Sequence, residues 1–113
     1  MVNIDAITQS TTEIQINGEV INVYDVTYSM AKRVREFQDY LRDPSATPDE
    51  SENRQADLII DFLNNNKNNK KFTKKDLDKL SFMSIKTLYN LMVKLINKTE
   101  LDPNLESHCQ AEK

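Results

Sequence analysis

The chain has little of what tight turns, cross-links and membrane spans require. Among its 113 residues are one glycine, one cysteine, one histidine and three prolines. A single glycine excludes the usual glycine-rich phosphate loops. A single cysteine, Cys109, excludes an internal disulfide framework and is expected of a reducing compartment. No apolar run approaches the ~20 residues that span a bilayer. The opening stretch MVNIDAITQSTTE has neither a basic start nor an apolar run, so no secretory signal is expected there.

Catalytic and metal chemistry are equally short of parts. The one histidine, His108, adjoins Cys109 near the C-terminus. A Cys–His nucleophile pair needs a cleft and a third, orienting group. A structural zinc site needs about four ligands. The two are therefore expected to be polar tail residues. Asp76 and Asp78 fall on different faces of a short helix and do not make an acid/base pair. The run Asp43, Ser45, Thr47, Asp49 has the spacing of a calcium loop, but Pro48 stands where the loop needs Gly and Arg54 where it needs a bidentate Glu. No enzyme activity, cofactor or metal is expected.

What is present fits one small domain. Apolar residues make up 38 % of the chain and charged residues 29 %, enough for one modest core under a charged surface. The net charge of −3 hides a pattern. Residues 1–66 carry 5 basic against 12 acidic groups, or −7; residues 67–98 carry 9 lysines against 2 acids, or +7; residues 99–113 return −3.

The single glycine marks the first structural element. Asn17-Gly18 is a two-residue hairpin turn, because a type I′ turn needs positive φ at both central positions. That turn pairs Ile16 with Glu19, Ile14 with Ile21 and Thr12 with Val23. Strand alternation then gathers Ile14, Ile16, Ile21 and Val23 on one face. Two strands alone are marginal in water, so helices must cover that face.

The helices follow from spacing. Met30, Val34, Phe37 and Leu41 form the stripe of a helix over about 27–41. Residues 43–54 (DPSATPDESENR) read as a linker, and a second helix is expected over about 52–65 with Leu58, Ile59, Phe62 and Leu63 inward. Residues 64–71 (NNNKNNKK) read as a polar connector, since Asn prefers turns to helix interiors. Thr73 begins a short third helix, with Asp76 completing a capping box and Phe72 and Leu77 a hydrophobic staple. Ser84 is expected to cap a fourth helix over about 85–97. The fold expected is thus α+β, mostly α: an N-terminal β-hairpin followed by three to four helices, in one domain over 1–98, with a flexible polar tail over 99–113.

Two surfaces stand out for partners. Ile85, Leu88, Tyr89, Met92, Leu95 and Ile96 span ~120° of the fourth helix, and Leu91 and Val93 widen the apolar arc to ~200°. The arc is either the centre of the core or, at Leu91, Met92 and Val93, partly exposed to dock a partner helix. Met suits an adaptable docking surface. Lys67, Lys70, Lys71, Lys74 and Lys75, continued by Lys79, form a basic cluster for anion binding or self-association with the acidic segment of another copy. The cluster holds no Arg, and its one aromatic serves the staple, which argues against nucleic-acid readout.

The order of parts carries a resemblance. IQINGEVINVYDVTYSMAKRVREFQDYL is a short hairpin running directly into an amphipathic helix. A Pro/acidic linker and a second helix follow, then FTKKDLDKLSFMSIKTLYNLMVKLIN, an F/T-x-x-D-L phrase with a final apolar helix. Over about residues 12–98 this resembles the tail assembly chaperones of long-tailed bacteriophages, especially those of Gram-positive hosts. The resemblance implies a non-enzymatic protein of the host cytoplasm that binds the helical tape-measure protein, keeps it soluble and is absent from the mature virion. It implies no particular site residues. Two other classes remain open: a small nucleic-acid-associated regulator using the 67–79 lysines, and a structural tail or connector subunit.

Overall fold

A computed structural model describes the backbone of residues 1–101 and side chains through residue 97. The residues beyond Leu101, including His108 and Cys109 and most of the expected tail, lie outside the described residues. The elements run α1 (Ile4–Thr8), β1 (Thr11–Ile16), β2 (Glu19–Tyr24), α2 (Tyr28–Leu41), α3 (Pro48–Asn64), α4 (Lys74–Asp78) and α5 (Phe82–Leu101). This is the α+β architecture expected, with a hairpin ahead of four helices. The short α1 in front of the hairpin was not anticipated. Asn3 caps it, its Oδ1 accepting from the Ala6 N–H at 3.1 Å.

The hairpin has the register its turn dictates, from Ile16 opposite Glu19 to Thr11 opposite Tyr24. Asn17 and Gly18 both take positive φ, 55° and 81°. Ile16, Ile21 and Val23 are buried, and Ile14 packs against them at the margin. A Cβ on Gly18 would meet nothing within 4 Å. Gly18→Ala therefore bears only the backbone cost of the left-handed region, about 1–2 kcal/mol. Urea denaturation should show that loss with an unchanged m-value.

The centre of the core is α3, which touches α2, α4, α5 and β2. Leu58, Ile59, Phe62 and Leu63 are all buried, as are Met30, Val34 and Phe37 of α2. Leu88, Met92 and Ile96 of α5 close the core, and the Phe37 and Tyr89 rings meet edge to face at 5.8 Å. Burial raises the Tyr89 phenol above its ordinary value, against a smaller opposing effect of its hydrogen bond with Gln38. Leu41, placed on the inner stripe of α2 by spacing alone, lies at its exposed end.

Two segment boundaries differ from expectation. The linker over 43–54 is far shorter, because α3 starts at Pro48. Thr47 caps it, Pro48 occupies the first turn and Asp49 and Glu50 complement the helix N-terminus. Arg54, one turn on, holds Glu50 at 2.9 Å. In what remains of the linker, Asp43 accepts from the Ser45 N–H and hydroxyl, both at 2.9 Å, which lowers its carboxyl pKa. At the other end of the fold, α5 begins at Phe82. Its cap is Ser81 rather than Ser84: the Ser81 hydroxyl accepts from the Ser84 N–H at 3.1 Å.

The asparagine run is the polar connector expected between α3 and α4, and all of it but Asn66 is exposed. What composition did not show is that it hydrogen-bonds along the outer edge of β2. Asn66 is buried and bridges to Val23. The Tyr24 N–H donates to the Asn65 carbonyl at 2.8 Å, and the Lys67 N–H to the Asn22 carbonyl at 3.1 Å. The Asn22 N–H donates to Asn68 Oδ1 at 2.7 Å. Asn69 takes φ 59°, which Asn tolerates, and turns the chain back. Beyond it α4 starts as expected, the Thr73 N–H donating to the Asp76 carboxylate at 2.9 Å.

Candidate functional site

The apolar arc of α5 is mostly consumed by the core. Met92 is fully buried, so the expectation that it lies on an exposed part of the arc is corrected. Leu91 and Val93 are half-buried and pack against the core. At 100° per residue they sit ~160° apart, on opposite borders of the buried stripe. Leu91, Met92 and Val93 therefore do not form one docking patch in this conformation.

Apolar surface is exposed instead where α5 begins. Phe82 and Met83 are 78 % and 67 % exposed. Leu80, Ser81 and the first turns of α5 lie across from β1. Between them lies an open groove of about 550 Å³. Ile14 and Ile16 line it from β1; Leu80, Met83, Leu88 and Leu91 line it from the helix side. Glu13, Gln15, Ser84 and Thr87 form a polar rim. Of the three residues singled out from the sequence, Leu91 alone reaches this groove.

The groove is apolar within and polar at its rim. Its walls are aliphatic and thioether side chains, which favour burial of any apolar partner without dictating its sequence. Its rim carries one charged side chain, Glu13, so docking costs little charge desolvation. Spacing on α5 pointed to the wide arc, but not to Met83, which stands outside the regular stripe. The signal for Met83 was only that Phe82-Met83 is an apolar pair with no place on either neighbouring helix stripe.

A second concavity, of about 500 Å³, lies between α1 and the start of α2, lined in part by Ile7, Tyr24, Val26 and Tyr28. Ile4 and Ile7 of α1 are more than half exposed, and α1 buries no residue of its own.

The lysine cluster is a dispersed surface rather than a pocket. Lys67, Lys70, Lys71, Lys74 and Lys75 are all exposed. Lys70 pairs with Glu19 at 3.2 Å and Lys74 with Asp57 at 3.5 Å. Two of the five charges thus meet acidic partners at the surface, on the hairpin turn and α3. Among the described residues, no group of three or more His, Cys, Asp or Glu side chains is placed to hold a metal ion. No described helix is long and apolar enough to cross a membrane.

Comparisons with known proteins add nothing to this geometry: no protein-family model, no curated protein and no solved structure matches the chain.

Proposed function

We propose that this chain is a phage tail assembly chaperone, a non-enzymatic protein that binds the tape-measure protein in the host cytoplasm and keeps it soluble until the tail is built. The observation that carries the reading is the groove between β1 and α5. It presents Ile14, Leu80, Met83 and Leu91 as continuous apolar surface beside a charged exterior, as a holder of an apolar helix requires. The hairpin-to-helix order of the sequence, which resembles this family, supplies the identity of the client. The two surface ion pairs weigh against the nucleic-acid alternative, since they neutralise part of the basic cluster.

Co-expression with the tape-measure protein of the same genome tests the proposal. The expected result is a soluble client that co-purifies with many copies of this chain. A client that stays insoluble, with no co-purification, overturns it. The chaperone reading further expects the protein to be missing from purified virions; finding it there would move the assignment to a structural tail subunit.

A further inference from the structure

The two edges of the hairpin are treated differently. The outer edge of β2 is closed by the asparagine run, through Asn65, Lys67 and Asn68. The outer edge of β1 is open. In this register Thr12, Ile14 and Ile16 bond inward to β2, so the N–H and C=O groups of Thr11, Glu13 and Gln15 point away from the hairpin. They find no partner among the described residues. The strand has no Pro, no Lys and no bulge to keep the bare edge apart, and Glu13 is its one charged residue. The apolar groove opens along this same edge.

We infer that β1 pairs with β1 of a second copy, antiparallel about a two-fold axis at Ile14, to make a continuous four-stranded sheet. The strand is complementary to itself, which favours a second copy, and charge selects the register. Centred at Ile14, the pairing sets the Glu13 carboxylate opposite the partner's Gln15 amide, and does so twice by symmetry. Ile14 meets its own symmetry mate, and Thr12 lies opposite Ile16, all on the apolar face. A two-fold axis at Glu13 would oppose two carboxylates directly. One at Gln15 would run the ladder into Asn17, whose φ of 55° leaves the strand. A shared ladder of this length falls well short of the ~800 Å² per partner of a stable interface. The pairing must therefore bury more than the ladder, and Ile14 and Ile16 of the second copy, which extend the groove floor, add that apolar surface. Two grooves then face each other as one trough, floored by both β1 strands and walled by both α5 helices. This pairing does not rest on the client reading, and its association state and cross-linking are measured without any client.

Sedimentation of the full chain at micromolar concentrations should give a species of twice the 13.1 kDa chain mass. Gln15→Glu sets two pairs of carboxylates against each other and should weaken the dimer about tenfold. Adding Glu13→Lys restores opposite charges across the axis and should recover it. Both side chains are exposed, and unchanged thermal unfolding at low concentration separates this effect from loss of the fold. As a second readout, Ile14→Cys in a Cys109→Ser background should form an intermolecular disulfide, since facing residues at a non-hydrogen-bonded position lie ~4.5 Å apart. A chain that is monomeric throughout overturns the inference. So does a dimer indifferent to Gln15→Glu that fails to cross-link, which would place the interface elsewhere. A monomer whose client binding is lost on Gln15→Pro also overturns it and assigns the edge to an extended segment of the client.

Discussion

Asn66→Ala is expected to cost about 3 kcal/mol, more than substitutions of most larger surface residues, because four hydrogen bonds converge on one small side chain. Its Nδ2 donates to the Leu63 carbonyl at 2.7 Å and to the Lys70 carbonyl at 3.0 Å. Its Oδ1 accepts from the Asn68 N–H at 3.0 Å and the Lys70 N–H at 3.1 Å. The amide thus closes the last turn of α3 and the return of the loop at once. Truncation leaves these backbone groups without partners in a place that water reaches poorly. For a domain of this size the loss corresponds to a fall in Tm of roughly 12–20 °C. Asn66→Asp keeps the shape and both accepted bonds but gives up both donated ones, and aims a carboxylate at two carbonyl oxygens. It should fall at least as far at neutral pH. The discriminating control is Asn68→Ala, which removes one accepted bond, from Asn22, and should cost about 1 kcal/mol. Thermal unfolding of the three variants checks the order. If Asn66→Ala melts with the control, the run is no more than the connector that its composition suggests.

That run shows where sequence reading reaches its limit. Eight residues of Asn and Lys have the composition of a solvated loop, and nothing in a single chain distinguishes an asparagine bonded to water from one bonded to four backbone groups. Periodicity is blind here because the segment has none. The hairpin lay at the other extreme. Asn17-Gly18 admits few backbone geometries, so register and buried face both followed from two residues. The start of α3 is legible in the sequence: Thr47-Pro48-Asp49-Glu50 has a cap, a first-turn proline and acids in the order a helix N-terminus favours. The same proline and acids are also the composition of a linker, and composition alone does not separate the two. For the site, spacing found the apolar helix and Leu91 but misplaced the exposed part. A helical wheel gives the width of an apolar arc; it does not say which border a neighbouring strand covers. The groove exists because β1 covers one border incompletely, and that is a fact of tertiary packing.

The same geometry makes two methionines on one helix respond in opposite ways. Met92 is fully buried in the core cluster. Met92→Asp should therefore remove most or all of the folding free energy, because it gives up the burial of a large side chain and places a carboxylate among apolar atoms with no partner. The whole stability of such a domain is of the order of 5–15 kcal/mol, so little folded protein is expected. Met83 is two-thirds exposed, at 67 %, on the wall of the groove. Met83→Asp should leave stability within about 0.5 kcal/mol, as surface substitutions do. Its effect should fall on the client. A charge in the groove must be desolvated when an apolar helix docks, and the amount of tape-measure protein recovered in the soluble fraction should drop about tenfold for ~1.4 kcal/mol of lost affinity. Leu91→Asp is intermediate, since Leu91 touches both groove and core, and should lower stability and client recovery together. Circular dichroism paired with the co-expression assay separates the three. Normal client recovery with a folded Met83→Asp protein would move the docking surface away from this groove, with the concavity beside α1 as the next face to test. Unfolding of Met83→Asp would instead mean that α5 depends on its first turn far more than its exposure implies.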